Sequence, residues 1–416
     1  MRSPRRPVMW EVLTNDHRFG IFFVGAALSN IGTWCQNLAA ILLVYRLTES
    51  TMVVSLVTVA QFSAPVLLAP WAGLVADRYD RRHVLMATQL AGAVVSAGLA
   101  VATLTEHISA TGALCTILLL GVCQAFQSPA QLSLTPLMTS ADHRELGMSL
   151  NSSQFNLARA IGPIVANLII VAWGIGEAFV FNTFTYFLYV IALRFVRPSR
   201  QERSVGRSRL RDTLGVVRAE PLIVPMLLVG LVISGSTDVV ATLGPALSIE
   251  VTGDDGATGY LISAFGAGAV LTAFLLVPWL RRFPRRLAWT VVAQGVGVLV
   301  VAVAPGLTVA MIGFAVAGGA FLASSNRALT LVQGLVPAAS LGRVMAIWIL
   351  AFLGGRPLFA LTEGLVDSVA GPRAAAAVVA LTIFAAAAGV AITSRRLGPA
   401  AVPAGPVVTP TPREYS

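Results

Sequence analysis

Apolar residues arrive in this chain in runs of the length needed to cross a bilayer. Twelve such segments are read at 19–45, 52–76, 84–104, 112–138, 145–172, 178–195, 223–249, 257–280, 287–304, 308–335, 341–369 and 373–394. A helix needs ~20 apolar residues to span the hydrocarbon. Backbone polar groups in lipid must pair within their own segment, which makes helices of these runs. Their weak alternation argues against a β-barrel. With 56% apolar and only 12% charged residues, the chain has too much apolar surface to hide in a soluble core. The expected class is an all-α integral membrane protein with twelve transmembrane helices.

Charge then orients the bundle. The formal net charge is +10 and every basic residue is Arg. If loops alternate sides, one side receives 24 of the 29 Arg, at the N-terminus, 77–83, 139–145, 194–221, 281–286, 343 and the C-terminus. The other side keeps Arg46 and Arg373. This asymmetry matches cytoplasmic loops and not a nucleic-acid surface, so both termini are expected in the cytoplasm and no nucleic-acid partner is expected. Met1-Arg-Ser-Pro-Arg-Arg-Pro lacks the apolar core and cleavage site of a secretory signal, and the first helix is expected to be retained. A basic linker, 196–221, divides the spans six and six. The expected organisation is a cytoplasmic N-terminus (1–18), a first six-helix bundle (19–195), that linker, a second bundle (222–394) and a disordered cytoplasmic tail (395–416) rich in Pro and small residues.

Between the second and third segments lies Gly73-Leu-Val-Ala-Asp77-Arg78-Tyr-Asp80-Arg81-Arg82, which packs five charges into six residues. The loop after the eighth segment echoes it as Arg281-Arg282-Phe-Pro-Arg285-Arg286. Gly-x-x-x-Asp-Arg-x-x-Arg-Arg in this setting resembles the loop signature of the major facilitator superfamily of secondary transporters. Further residues are similar to its exporter branch, which contains the enterobactin exporter and macrolide-efflux proteins. They are Ser29-Asn30-Ile-Gly32-Thr33-Trp34-Cys-Gln36-Asn37, Gln124-Ala-Phe126-Gln-Ser-Pro129, Asn156-Leu-Ala158-Arg159-Ala-Ile161-Gly162-Pro163, Gly342-Arg343-Val344-Met345 and Gly354-Gly355-Arg356-Pro357. The resemblance implies two pseudo-symmetric six-helix bundles, single-chain function in the cell membrane, a small-molecule substrate and no cofactor beyond an ion gradient. It assigns gating to Gly73, Asp77, Arg78, Arg81, Arg82, Gly162, Pro163 and Arg343. Asp77 would pair with an Arg or cap a neighbouring helix, latching the gate in one of two states. A role for these arginines in topology alone remains the alternative.

Ionisable groups inside spans are costly and so become candidates for function. Asp238 falls near the middle of the seventh segment, with Ser234 and Thr242 four residues to either side. Arg159, Arg327 and Arg356 fall within the fifth, tenth and eleventh. The family layout makes segments seven and eleven neighbours, which implies an Asp238–Arg356 pair. Proton coupling and a permanent ion pair both remain open for it. Glu363 and Asp367 are expected near the outer end of segment eleven, as second-tier candidates. Three polar stripes add substrate-pathway candidates: Asn30, Trp34 and Asn37; Gln124, Ser128 and Gln131; and Asn326 with Thr330 and Gln333. Asn156 lies on the Arg159 face. The alternative for each stripe is bonding between adjacent helices, and three of them on helices expected to line the cavity favour the pathway reading.

Cys35, Cys115 and Cys123 lie in apolar runs without ligand or disulfide spacing, and no metal site is expected. No P-loop or nucleophile–base arrangement is present, and no enzyme is expected. The reading is a secondary active transporter, with proton-driven export of a drug, siderophore or other natural product. The alternative is import of a polar nutrient on the same fold.

Overall fold

The computed structural model describes residues 12–14, 19–140, 143–196, 198, 223–273, 287–336 and 338–396. Nearly all of the linker 196–221, the basic loop 281–286 and the tail beyond Arg396 lie outside the described residues, as does most of 1–18.

Among the described residues every long element is helical. The first half holds α1 (Phe19–Thr48), α2 (Thr51–Arg78), α3 (Arg81–Leu104), α4 (Ala110–Leu134), α5 (Arg144–Ala172) and α6 (Ile175–Phe195). The second holds α7 (Ile223–Gly235), α8 (Val239–Thr242), α9 (Gly244–Thr252), α10 (Thr258–Leu271), α11 (Leu287–Ala302), α12 (Leu307–Leu335), α13 (Ala338–Ala370) and α14 (Pro372–Arg396). Among the described residues ten spans are long and apolar enough to cross a membrane, and the shorter apolar helices α10 and α11 fall within the eighth and ninth expected segments. Large apolar side chains such as Leu67, Leu74, Leu168 and Val171 face outward, as suits a bundle bathed in lipid.

The seventh segment departs from its expected continuous helix, 223–249, and breaks twice. Ser236 and Thr237 turn their hydroxyls onto the carbonyls of Ile233 and Ser234, and tight turns carry the backbone through Asp238. Gly244-Pro245 then interrupts it again, where Pro has no N–H to donate. Side-chain hydroxyls satisfying freed carbonyls are what make such a break tolerable in a membrane.

Helix starts follow ordinary capping. Ser50 and Ser109 accept hydrogen bonds from the backbone N–H of Val53 and Gly112, and Asp80 accepts from Arg82 and His83. Packing then repeats in the two halves. α1 contacts α5 and α6, α3 contacts α4 and α6, and α2 contacts α4. In the same order α7 contacts α13 and α14, α11 contacts α12 and α14, and α10 contacts α12. Even a polar bond recurs: Ser29 on α1 donates to Gln89 on α3 at 3.1 Å, and Gln294 on α11 donates to Ser236 after α7 at 2.8 Å. The halves meet where α2 packs on α13 and α5 on α10. This crossed exchange is what a pseudo-two-fold axis along the membrane normal generates. Gly266 permits the α5–α10 approach, because a Cβ there would lie 2.9 Å from the Ala160 carbonyl oxygen.

Candidate functional site

Between the halves lies a cavity of about 570 Å³, walled by α1, α2, α5, the broken seventh span, α10, α12 and α13. Its lining includes Phe23 and Ala273 toward the Arg-rich end of the bundle and Ile41 and Ile262 toward the opposite end.

At that opposite end the halves are tied together. Arg46 at the end of α1 donates to Asp255 through Nε at 2.6 Å and Nη2 at 3.2 Å. Gly364 of α13 backs directly onto Met52 and Ser55 of α2. The Arg-rich end differs. Asp77, Arg78 and Asp80 are exposed, and nothing approaches within 4 Å of a Cβ placed on Gly73. Asp77 makes no ion pair among the described residues. Two arginines of the motif serve as helix-end cations. Arg81 donates to the Ser133 carbonyl in the last turn of α4 at 3.2 Å, and Arg82 to the Arg194 carbonyl of α6 at 2.9 Å. Positive charge at a helix C-terminus meets both the dipole and the unpaired carbonyls.

The Asp238–Arg356 pair forms at the cavity wall. Arg356 Nε donates to Asp238 Oδ2 at 2.9 Å and to Oδ1 at 3.2 Å, and Nη2 also donates to Oδ1. Asp238 is 1% exposed and Arg356 9%. The Arg356 guanidinium also lies 4.0 Å from the centre of the Phe62 ring, so α2 closes over the pair. Arg159 lines the same wall, with its guanidinium 4.5 Å from the Phe321 ring centre and 5.2 Å from that of Trp34. Trp34, Asn37, Pro163 and Asn326 are also on the wall.

Other sequence-selected residues sit elsewhere in this conformation. Asn30 spends its amide on Gln154 inside the first half, Gln131 is buried beside Thr135, and Ser128 donates to the Gln124 carbonyl on its own helix. Gln124 lines a separate small hollow with Gln36 and Tyr186. Gly162 packs against Trp34 and Ile31 of α1, within its own half. Arg327 is half-buried on α12, beside Asn326. Asn156 and Arg343 belong to α5 and α13, but their side chains lie outside the described residues.

One residue is more deeply placed than its sequence position suggested. Glu363 on α13 is 0% exposed, and neither carboxyl oxygen is within hydrogen-bonding geometry of a partner among the described residues. Thr242 is close by on α8, and Asp238 and Arg356 lie within its electrostatic reach. Its sequence position points to the outer end of the eleventh segment and not to a fully buried site. The available signal was a lone Glu in an apolar helix, seven residues beyond Arg356 and so on the same helix face. No cluster of His, Cys, Asp or Glu suited to a metal occurs among the described residues.

A major-facilitator profile, that of the transmembrane secretion effector family, matches residues 10–403. The chain belongs to this family. The facilitator is similar to the staphyloferrin A transporter of Staphylococcus aureus, at 25% identity over 41% of this chain and 43% of that protein. It thus spans less than half of that relative. With the enterobactin exporter of Citrobacter koseri the identity is 25% over 88% of this chain and 89% of that protein. Among solved structures, the bacterial homolog of the human lysosomal transporter Spinster, inward-facing and occupied, is similar with a TM-score of 0.71. That match covers 91% of this chain and 96% of the other at 13% identity, which speaks for the fold alone. These relatives are transporters and not enzymes.

Proposed function

We propose that this facilitator is a proton-driven exporter of an amphipathic small molecule, working by alternating access with its Arg-rich end and both termini in the cytoplasm. The six-and-six division around residues 196–221 supplies the two rocking bodies. Exporter-named relatives support the direction, and a largely apolar cavity wall suits an amphipathic guest better than a polar nutrient.

The observation that carries proton coupling is Glu363. A carboxyl that is fully buried and makes no ion pair among the described residues is costly to keep ionised inside a membrane protein, which makes Glu363 the group best placed to take up and give up a proton during the cycle. It lies beside Asp238, the acid already matched to Arg356. A break in the helix next to both groups provides a segment able to rearrange when the opposite end opens. Proton uptake there and release toward the cytoplasm would alternate with substrate loading from the cytoplasmic cavity.

Accumulation of a panel of labelled lipophilic compounds in efflux-deficient cells tests this reading. The protein should lower accumulation of at least one compound, and an uncoupler or Glu363→Gln should abolish the effect. Export that survives both the uncoupler and the substitution would overturn the proton-driven reading.

A further inference from the structure

We infer that the transported molecule is an amphipathic organic anion with a flat apolar body, and that Arg159 receives its negative charge. The inference rests on the transport reading above and adds the substrate class to it.

Charge on the cavity wall is the first observation. Among the described residues its ionisable side chains are Arg159, Asp238 and Arg356. Both Asp238 oxygens are engaged by Arg356. Arg159 has no hydrogen bond or ion pair among the described residues, and the wall carries one positive charge in excess. A half-buried cation that faces the cavity without a counter-ion draws an anion, and a cationic guest would meet repulsion with no free carboxylate to answer it.

The second observation is how Arg159 is held. Phe321 and Trp34 support the guanidinium through their rings, from opposite halves of the molecule. Ring contacts stabilise the charge but leave the N–H donors unspent. A planar guanidinium fixed in this way presents paired donors that match a carboxylate, or a sulfonate, edge to edge.

The rest of the wall describes the body of the guest. Phe265 lies against Phe321 with ring centres 6.0 Å apart, and both line the cavity with Trp34. Ile31, Leu38 and Ile262 continue the apolar lining. A cavity of about 570 Å³ accommodates a fused-ring skeleton with a short acidic arm. Because Arg159 touches rings from both halves, an anion bound there sits at the junction whose geometry changes during alternation.

Equilibrium dialysis of the full-length protein in lipid nanodiscs tests the assignment with 1-pyrenebutyrate, its uncharged amide and a quaternary-ammonium pyrene of equal arm length. The carboxylate should bind about tenfold or more tightly than the amide, and the cation more weakly than either. Arg159→Gln should bring carboxylate and amide to equal affinity, whereas Arg159→Lys should retain part of the preference. The wild-type comparison stands even where a variant fails to fold. Equal binding of carboxylate and amide, preferred binding of the cation, no carboxylate binding by folded protein, or an undiminished preference in Arg159→Gln would each overturn the anion site. Binding at equilibrium needs neither gradient nor direction. Failure here counts against the substrate class, while gradient-independent flux counts against proton-driven export.

Discussion

At the scale of single residues, Asp238 and Arg356 form a pair whose value depends on both members being present. Removing one leaves a buried charge uncompensated, typically at about 3–5 kcal/mol, whereas neutralising both is far less costly. Asp238→Asn or Arg356→Gln alone should therefore lower the thermal midpoint by several degrees, and the double variant should recover most of that loss. Tryptophan fluorescence during heating in detergent measures it, with transport expected to be lost in all three proteins. Single variants as stable as wild type would show that the pair contributes nothing to holding α13 against the broken span. This pair was legible beforehand, because two charges stood inside apolar runs that the family layout makes neighbours. Glu363 was less so. Its isolation from water comes from α2 packing along α13 and from α8 lying beside it, contacts between segments far apart in sequence.

Elements were readable where hydropathy and turn chemistry agreed, as at α1 to α6, whose bounds fall within a few residues of expectation. The seventh segment failed because averaged hydropathy registers apolar content and not continuity. The signals were present as Ser234-Gly-Ser-Thr237 and Gly244-Pro245. The same limit hid the seal at the end opposite the arginines, since Arg46 and Asp255 are 209 positions apart. Their bridge is bidentate, yet the Arg46 side chain is 48% exposed, and such pairs are worth about 0–1 kcal/mol. Arg46→Ala should therefore raise the population open at this end by no more than about fivefold. Spin-label distances across that end, between α1 and the Asp254–Asp255 turn, would report the shift. Complete opening would mean that the bridge, and not the packing of Gly364 on α2, provides the seal.

For the whole molecule, the unlatched motif acquires meaning from the conformation around it. The cavity lining reaches the Arg-rich end, and there Asp77 is exposed without an ionic partner among the described residues. A group with no partner in one state contributes nothing to that state. If the motif latches the Arg-rich end when the opposite end opens, Asp77 acts only in the second conformation. Asp77→Asn should then leave the thermal midpoint of the conformation described unchanged while reducing flux several-fold. Arg46→Ala weakens the seal at the other end and biases the equilibrium in the opposite direction. The two sites lie at opposite ends of the bundle and share no partner, so their effects on the equilibrium should add. The Arg46→Ala/Asp77→Asn double variant should thus show a ratio of the two states, in spin-label distance distributions, equal to the product of the two single shifts and so lying between the single variants. If Arg46→Ala alone shifts the ratio and the double variant is nevertheless shifted as far as Asp77→Asn alone, the two ends are not alternatives of one equilibrium, and the rocking of two rigid halves would have to be abandoned for independent gates.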